Sequence, residues 1–213
     1  MIAVNFIAFI ISIRHGRRKR ELHLITYYIA AALLLDFIWI CVDLLIVNKF
    51  LAYKIIGISL NTFLIVEITL LFTYLHTNIS SKKLKTITKI IYCSFFVFLS
   101  FCFIKYPSVI VHSSNYILAI ESFCIFVPCL FYFYELIKTS QQFILKNHPT
   151  FWIITGILFY NSTVIPGCVL INYFDSNLPT YSNILWAVNY TLYTILFLLF
   201  IKGYTCKKET ISI

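Results

Sequence analysis

Charge is scarce in this chain. Of its 213 residues 12% are charged and 61% hydrophobic, where a soluble domain is about a quarter charged and about half apolar. So little polar surface cannot cover a water-facing globule, and the chain reads as an integral membrane protein. Acids are scarcer still, with eight Asp and Glu against 17 Lys and Arg. The excess of base would raise the question of nucleic acid in a soluble protein. Here the basic residues fall in short turns between apolar runs, and no basic-aromatic groove pattern interrupts them. Glycine occurs five times, too seldom and too scattered for a phosphate-cradling loop. The seven cysteines are odd in number and form no C-x-x-C pair, which argues against both a zinc site and a disulfide framework. Six lie in apolar runs and read as small apolar side chains. No H-E-x-x-H or G-x-S-x-G motif occurs. No mid-span Lys offers a retinal Schiff base, and no mid-span His pair offers haem ligation. No cofactor and no metal site is expected. His15, His23, His76 and His148 lack ligand spacing and read as interfacial.

Long apolar runs are what the chain does have. Residues 2–13 form a short one, about 18–20 Å as a helix against a hydrocarbon core of ~30 Å. Three readings of it stand: a start site placed downstream of the true one, a thinned and sheltered span, or no crossing. Its positive charge follows the apolar run, the reverse of a cleavable signal peptide. Six further runs, about 22–47, 50–75, 86–104, 115–137, 150–172 and 183–201, are each long enough to span. The connector Asn48-Lys49 makes the first two of these an antiparallel hairpin. Pro149 falls where a first helical turn tolerates proline. None of the runs alternates in polarity as membrane strands do, so helices remain. The expected fold is all-α: a polytopic transmembrane bundle of seven helices, the first short, forming one domain over residues 1–213.

Charge orients the bundle. One set of alternate connectors holds Arg14, Arg17, Arg18, Lys19, Arg20, Lys82, Lys83, Lys85, Lys89, Lys138, Lys146, Lys202, Lys207 and Lys208. The other holds Lys49, Lys54 and Lys105. Cytoplasmic loops carry the excess, so the N-terminus is expected outside and the C-terminus inside. The basic turn Arg14, Arg17, Arg18, Lys19 and Arg20 can also contact anionic lipid at about 1 kcal/mol per residue.

Polar residues within the spans are functional candidates, because each acid costs roughly 2.5–3.5 kcal/mol at mid-bilayer. Asp36, Asn61 and Asn161 are expected near the midplane. Asp43, Glu121 and Asn189 are expected nearer the outside, and Glu67 on the inner half. Asp36 and Asp43 are seven apart and share a face. Glu121, Cys124, Pro128, Tyr132 and Glu135 form one stripe. Gly156, Asn161, Ser162, Thr163, Pro166 and Gly167 predict a kink or irregular turn. Two readings stand beside each other. One is interhelical hydrogen bonding by neutral acids and amides, worth about 0.6–2 kcal/mol each. The other is an outward-opening pocket for a small molecule or ion, lined by Asp36, Asp43, Glu121 and Asn189, with Asn61 and Asn161 deeper and Glu67 secondary.

His148-Pro149-Thr150-Phe151-Trp152 running into residues 153–160, with Glu121 and the aromatic run Phe131-Tyr132-Phe133-Tyr134 before it, resembles a group of uncharacterised multi-spanning bacterial inner-membrane proteins. Similar seven-helix bundles serve as membrane input regions of sensory kinases. The resemblance implies a sensing or accessory signalling module that works through a separate protein. A small ion-coupled transporter is the alternative, and an intramembrane lipid-modifying enzyme the third reading.

Overall fold

The computed structural model describes residues 2–16, 22–111, 114–138, 148–177 and 179–206. Eight helices follow one another: α1 Ile2–Gly16, α2 His23–Leu45, α3 Lys49–Asn78, α4 Lys82–Lys105, α5 Ser108–Val111, α6 Asn115–Lys138, α7 Pro149–Asn177 and α8 Pro179–Thr205. Six of them are long and apolar enough to cross a membrane. Their outward faces carry large apolar side chains such as Leu34, Phe37, Val97, Phe101 and Ile137, all well exposed. A continuous apolar exterior of this kind is suited to lipid, and the chain is a multi-pass membrane protein.

Packing follows from side-chain spacing. Ile25, Tyr28, Ile29 and Ala32 bury one face of α2, and Leu64, Ile68, Leu71 and Leu75 one face of α3. Steps of three and four residues stack such side chains on one side of a helix. The helices close a ring, each packing on the next: α1, α2, α3, α6, α7, α8 and back to α1. Helix α4 lies outside the ring against α3 and α6, with α5 beside it.

The first helix is about 22 Å long, and its neighbours α2 and α8 shelter it. Asn5, Ala8 and Ser12 form its buried stripe, each 0–1% exposed. Small and polar residues let helices approach closely in a bilayer.

Two boundaries differ from the sequence expectation. The connector expected over residues 105–114 contains the extra short helix α5. The connector expected over residues 173–182 is mostly helical, because Pro179 opens α8 rather than a loop. Pro is well placed in a first turn, where its missing N–H costs nothing. Asn48 caps α3 as its position suggests, its side-chain oxygen accepting from the backbone N–H groups of Phe50 (3.1 Å) and Leu51 (3.3 Å).

Several contacts gather the helix ends. The Tyr204 hydroxyl donates to the Leu22 carbonyl at 3.0 Å and pairs with the Thr26 hydroxyl at 2.8 Å, tying the end of α8 to the start of α2. Glu135 near the end of α6 accepts from the backbone N–H groups of Ser80 (2.6 Å) and Ser81 (2.7 Å), just before α4. A carboxylate there meets the unpaired N–H groups and positive dipole end of a helix.

Candidate functional site

The residues singled out by sequence divide into four places. Asp36 is half-buried and accepts from Asn5 Nδ2 on α1 at 2.6 Å. Asp43 is exposed. The two acids share a helical face, yet Asp43 lies about 10 Å further along α2, past the first turn of α1, whose Asn5 holds Asp36. The expected wall of paired acids is therefore a single acid, Asp36.

Asn61 is buried, and its Nδ2 donates to the carbonyls of Val109 (2.8 Å) and Ile110 (2.9 Å). These are the middle residues of α5, so Asn61 anchors that short helix. It stands near the middle of the 30-residue α3, beside the short helix α5. Asn161 is 3% exposed and donates to the carbonyl of Ile157 at 2.8 Å, one turn back in its own helix. A mid-span amide satisfied this way adds no reach to a ligand.

Asn189 lines a cavity of about 370 Å³ between the second half of α7 and the first half of α8. Ser162, Pro166, Gly167 and Cys168 form the α7 wall, Trp186 and Asn189 part of the α8 wall, and Asn115 at the start of α6 borders it. Pro166 gives the cavity its character. Proline cannot donate to the carbonyl one turn back, so the Ser162 carbonyl lacks its helical partner. Helix α7 nevertheless runs through Pro166 unbroken. A Cβ built on Gly167 would meet nothing within 4 Å, so this glycine leaves space on the cavity side. Asn189 Oδ1 is buried without a hydrogen-bond partner. The walls are mostly apolar with a few polar groups, the usual composition of a small-molecule site.

Glu121 and Glu67 form the fourth place. Glu121 is 3% exposed, and its Oε1 has no partner. It lies within Coulomb reach of Glu67 across the packed helices α3 and α6. Glu67 Oε1 accepts from Tyr28 at 3.1 Å. The stripe from Glu121 through Cys124, Pro128 and Tyr132 to Glu135 is buried or half-buried along its length. Its last member caps α4 instead of joining the interior.

Tyrosines are what the sequence reading missed. Tyr28, Tyr160 and Tyr193, none of them among the candidates, turn their rings into the bundle. Tyr160 and Tyr193 rings meet at 5.5 Å, and Tyr28 packs on Phe197 and Phe200. Tyr160 lies within Coulomb reach of Glu67 and Glu121, and Tyr193 of Glu67 and Asp36. A signal was present: Tyr28 is two helical steps of four from Asp36, and Tyr193 is one from Asn189, which puts each on the face of a polar neighbour. Of the lipid-contact candidates, Arg14 is exposed at the end of α1, while Arg17, Arg18, Lys19 and Arg20 lie outside the described residues.

Compared with family models, with curated proteins and with solved structures, the chain finds no match.

Proposed function

We propose that this chain is a sensing or accessory signalling module of a bacterial inner membrane, with a small-ligand pocket between α7 and α8. The observation that carries this reading is the cavity itself. It combines apolar walls, the unpaired Asn189 amide oxygen and the Ser162 carbonyl, to which Pro166 cannot donate. Such walls suit a compact, mostly apolar molecule that donates a hydrogen bond.

The threading that goes with it is seven crossings, with the N-terminus outside and the C-terminus inside. The lysine and arginine bias between alternate connectors supports this. The pocket then opens outward, on the side away from the basic turn, and a signal must cross to the cytoplasmic end. There the exposed Lys82, Lys83 and Lys89 at the start of α4 offer a docking place for a signalling protein.

Photo-crosslinking from positions 82, 83 and 89 in cells tests this. The reading expects capture of a signalling protein, and it expects the cavity-filling change Gly167→Phe to alter the yield. If no partner is recovered and Asp36→Asn abolishes uptake of a solute, the ion-coupled transporter replaces the sensor. That second reading is favoured by the acids inside the ring. A lipid-modifying enzyme ranks third, because Ser162 and Cys168 stand in the cavity wall without a histidine among the described lining residues.

A further inference from the structure

The start of α4 carries charge of the sign that a helix start disfavours. Lys82, Lys83, Lys85 and Lys89 all fall in its first eight residues, where the helix dipole and the free backbone N–H groups favour anions. Lys85 and Lys89 are four residues apart, a spacing at which like charges repel along a helix. Among the described residues no carboxylate pairs with any of the four lysines. Glu135 of α6 turns its carboxylate to the backbone N–H groups of Ser80 and Ser81 instead. Threading asks for positive charge near a span end. It does not ask for two lysines on one face beside a histidine.

Ring contacts fix that face. Tyr92 of α4 stacks on Phe72 of α3 at 4.1 Å between ring centres, and its hydroxyl pairs with that of Thr69 at 3.2 Å. Phe72 in turn stacks at 5.8 Å on His76, one turn nearer the end of α3. Joined by a short connector, α3 and α4 run antiparallel, so the turns of α4 that precede Tyr92 lie level with His76 and the end of α3. Lys89 and Lys85, three and seven residues before Tyr92, stand there on the face of Tyr92. Beyond Tyr92 the same face continues to Phe96, at 4.8 Å between rings. Phe72, His76, Lys85, Tyr92 and Phe96 are half-buried and Lys89 is exposed, and α4 itself lies outside the ring of helices. The groove between α3 and α4 is therefore open to lipid, basic at the helix ends and aromatic from there into the span.

We propose that this groove holds one anionic phospholipid, its phosphate between His76, Lys85 and Lys89 and an acyl chain along Phe72, Tyr92 and Phe96. Lysine meets phosphate as a point charge, and an imidazole donates an N–H in either charge state. Lys85 and Phe96 are eleven residues apart, about 16 Å along the helix, which carries an occupant from an interfacial headgroup well into the chain region. A soluble anion would use the basic end alone, and a soluble acidic partner would not reach rings inside the span. A lipid uses both parts. It also offsets the charge that α4 gathers at its start, where the protein supplies no described acid. The site is separate from the basic turn after α1 and does not depend on what the α7–α8 cavity binds.

Native mass spectrometry of the full chain in neutral detergent, with phosphatidylglycerol or phosphatidylcholine of the same acyl chains added, tests this. One phosphatidylglycerol should be retained in preference to phosphatidylcholine. Lys85→Gln/Lys89→Gln should weaken its binding by ~30-fold, the loss of two lysine contacts at a membrane surface. Lys49→Gln/Lys54→Gln, at the opposite end of α3, should leave it unchanged. Glycerophosphoglycerol, the same headgroup without chains, should not compete. The wild-type unfolding midpoint gives a check free of variants. A ligand of the folded state raises that midpoint, so phosphatidylglycerol should raise it where phosphatidylcholine and inorganic phosphate do not. Equal retention of the two lipids, or retention of phosphatidylglycerol undiminished in the Lys85 and Lys89 double variant, overturns the proposal. Competition by the chainless headgroup or by an acidic peptide at the concentration of the lipid overturns it as well.

Discussion

Two glycines show how much one methyl group decides. A Cβ at Gly203 would stand 2.8 Å from Ile153 Cγ1 and 3.1 Å from the Pro149 carbonyl oxygen. Helices α7 and α8 cross there at a separation that glycine alone permits. Overpacking of this kind costs about 1–3 kcal/mol, more than the roughly 1 kcal/mol that alanine gains over glycine inside a helix. Gly203→Ala should therefore lower the unfolding midpoint of the purified protein in detergent. Gly167→Ala should leave it unchanged or raise it, because open space receives the new methyl. Equal effects from the two changes would contradict the α7–α8 packing. Position 203 was not legible as a packing glycine. It follows the last long apolar run and reads as a helix end, whereas α8 continues through it to Thr205. Tyr204 is similar. A tyrosine beside Lys202 in a polar tail suggests the interface, yet its hydroxyl is locked between Leu22 and Thr26. Tyr204→Phe should cost about 0.6–2 kcal/mol, measured by the same unfolding assay.

At the scale of elements, the sequence showed which helices exist far better than which of their polar groups meet. Run length and hydropathy mark six spans, because the hydrocarbon thickness dictates them. Helix facing was legible on α6, where the stripe from Glu121 to Tyr132 does turn inward. Polar partners were not legible, because they depend on which parts of sequence-distant elements come together. Asp43 is exposed where α1 runs out, and Asn61 serves α5, whose carbonyls lie about 50 residues away in sequence. Glu135 shows the same dependence, since its partners Ser80 and Ser81 are distant in sequence. Glu135→Ala should free those two N–H groups. The cost is about 1 kcal/mol, at the low end for charged hydrogen bonds because water can reach this exposed end. Amide exchange at Ser80 and Ser81 should accelerate while exchange along α3 stays slow. Asn61→Ala should act on α5 alone, leaving the carbonyls of Val109 and Ile110 unpaired. Faster exchange across residues 108–111, with the six long helices still protected, is the expected outcome. Protection unchanged there would mean that α5 is held by other contacts.

For the whole molecule, the charge bias makes a prediction about robustness. Fourteen Lys and Arg stand in one set of connectors and three in the other. Neutralising the five residues of the basic turn, Arg14, Arg17, Arg18, Lys19 and Arg20, still leaves nine against three. Orientation responds to positive charges near the span ends, so α2 to α8 should keep their threading in this variant. The first helix should not. It is about 22 Å long and draws its own orientation from the turn that follows it. Its remaining hold is the buried stripe Asn5, Ala8 and Ser12 against α2 and α8 and the bond from Asn5 to Asp36. Cysteine labelling with a membrane-impermeant maleimide separates the two outcomes. In a Cys206→Ser background, Lys49→Cys should label in intact cells and Lys82→Cys after permeabilisation, with or without the five neutral substitutions. Ile2→Cys should label in intact cells with the basic turn present and lose that labelling when the turn is neutralised and Asn5→Val is added. Reversal of the Lys49 and Lys82 pattern in the wild-type turn would refute the outside-to-inside threading. It would also place the α7–α8 cavity on the cytoplasmic side, where a ligand from inside the cell would be the one it meets.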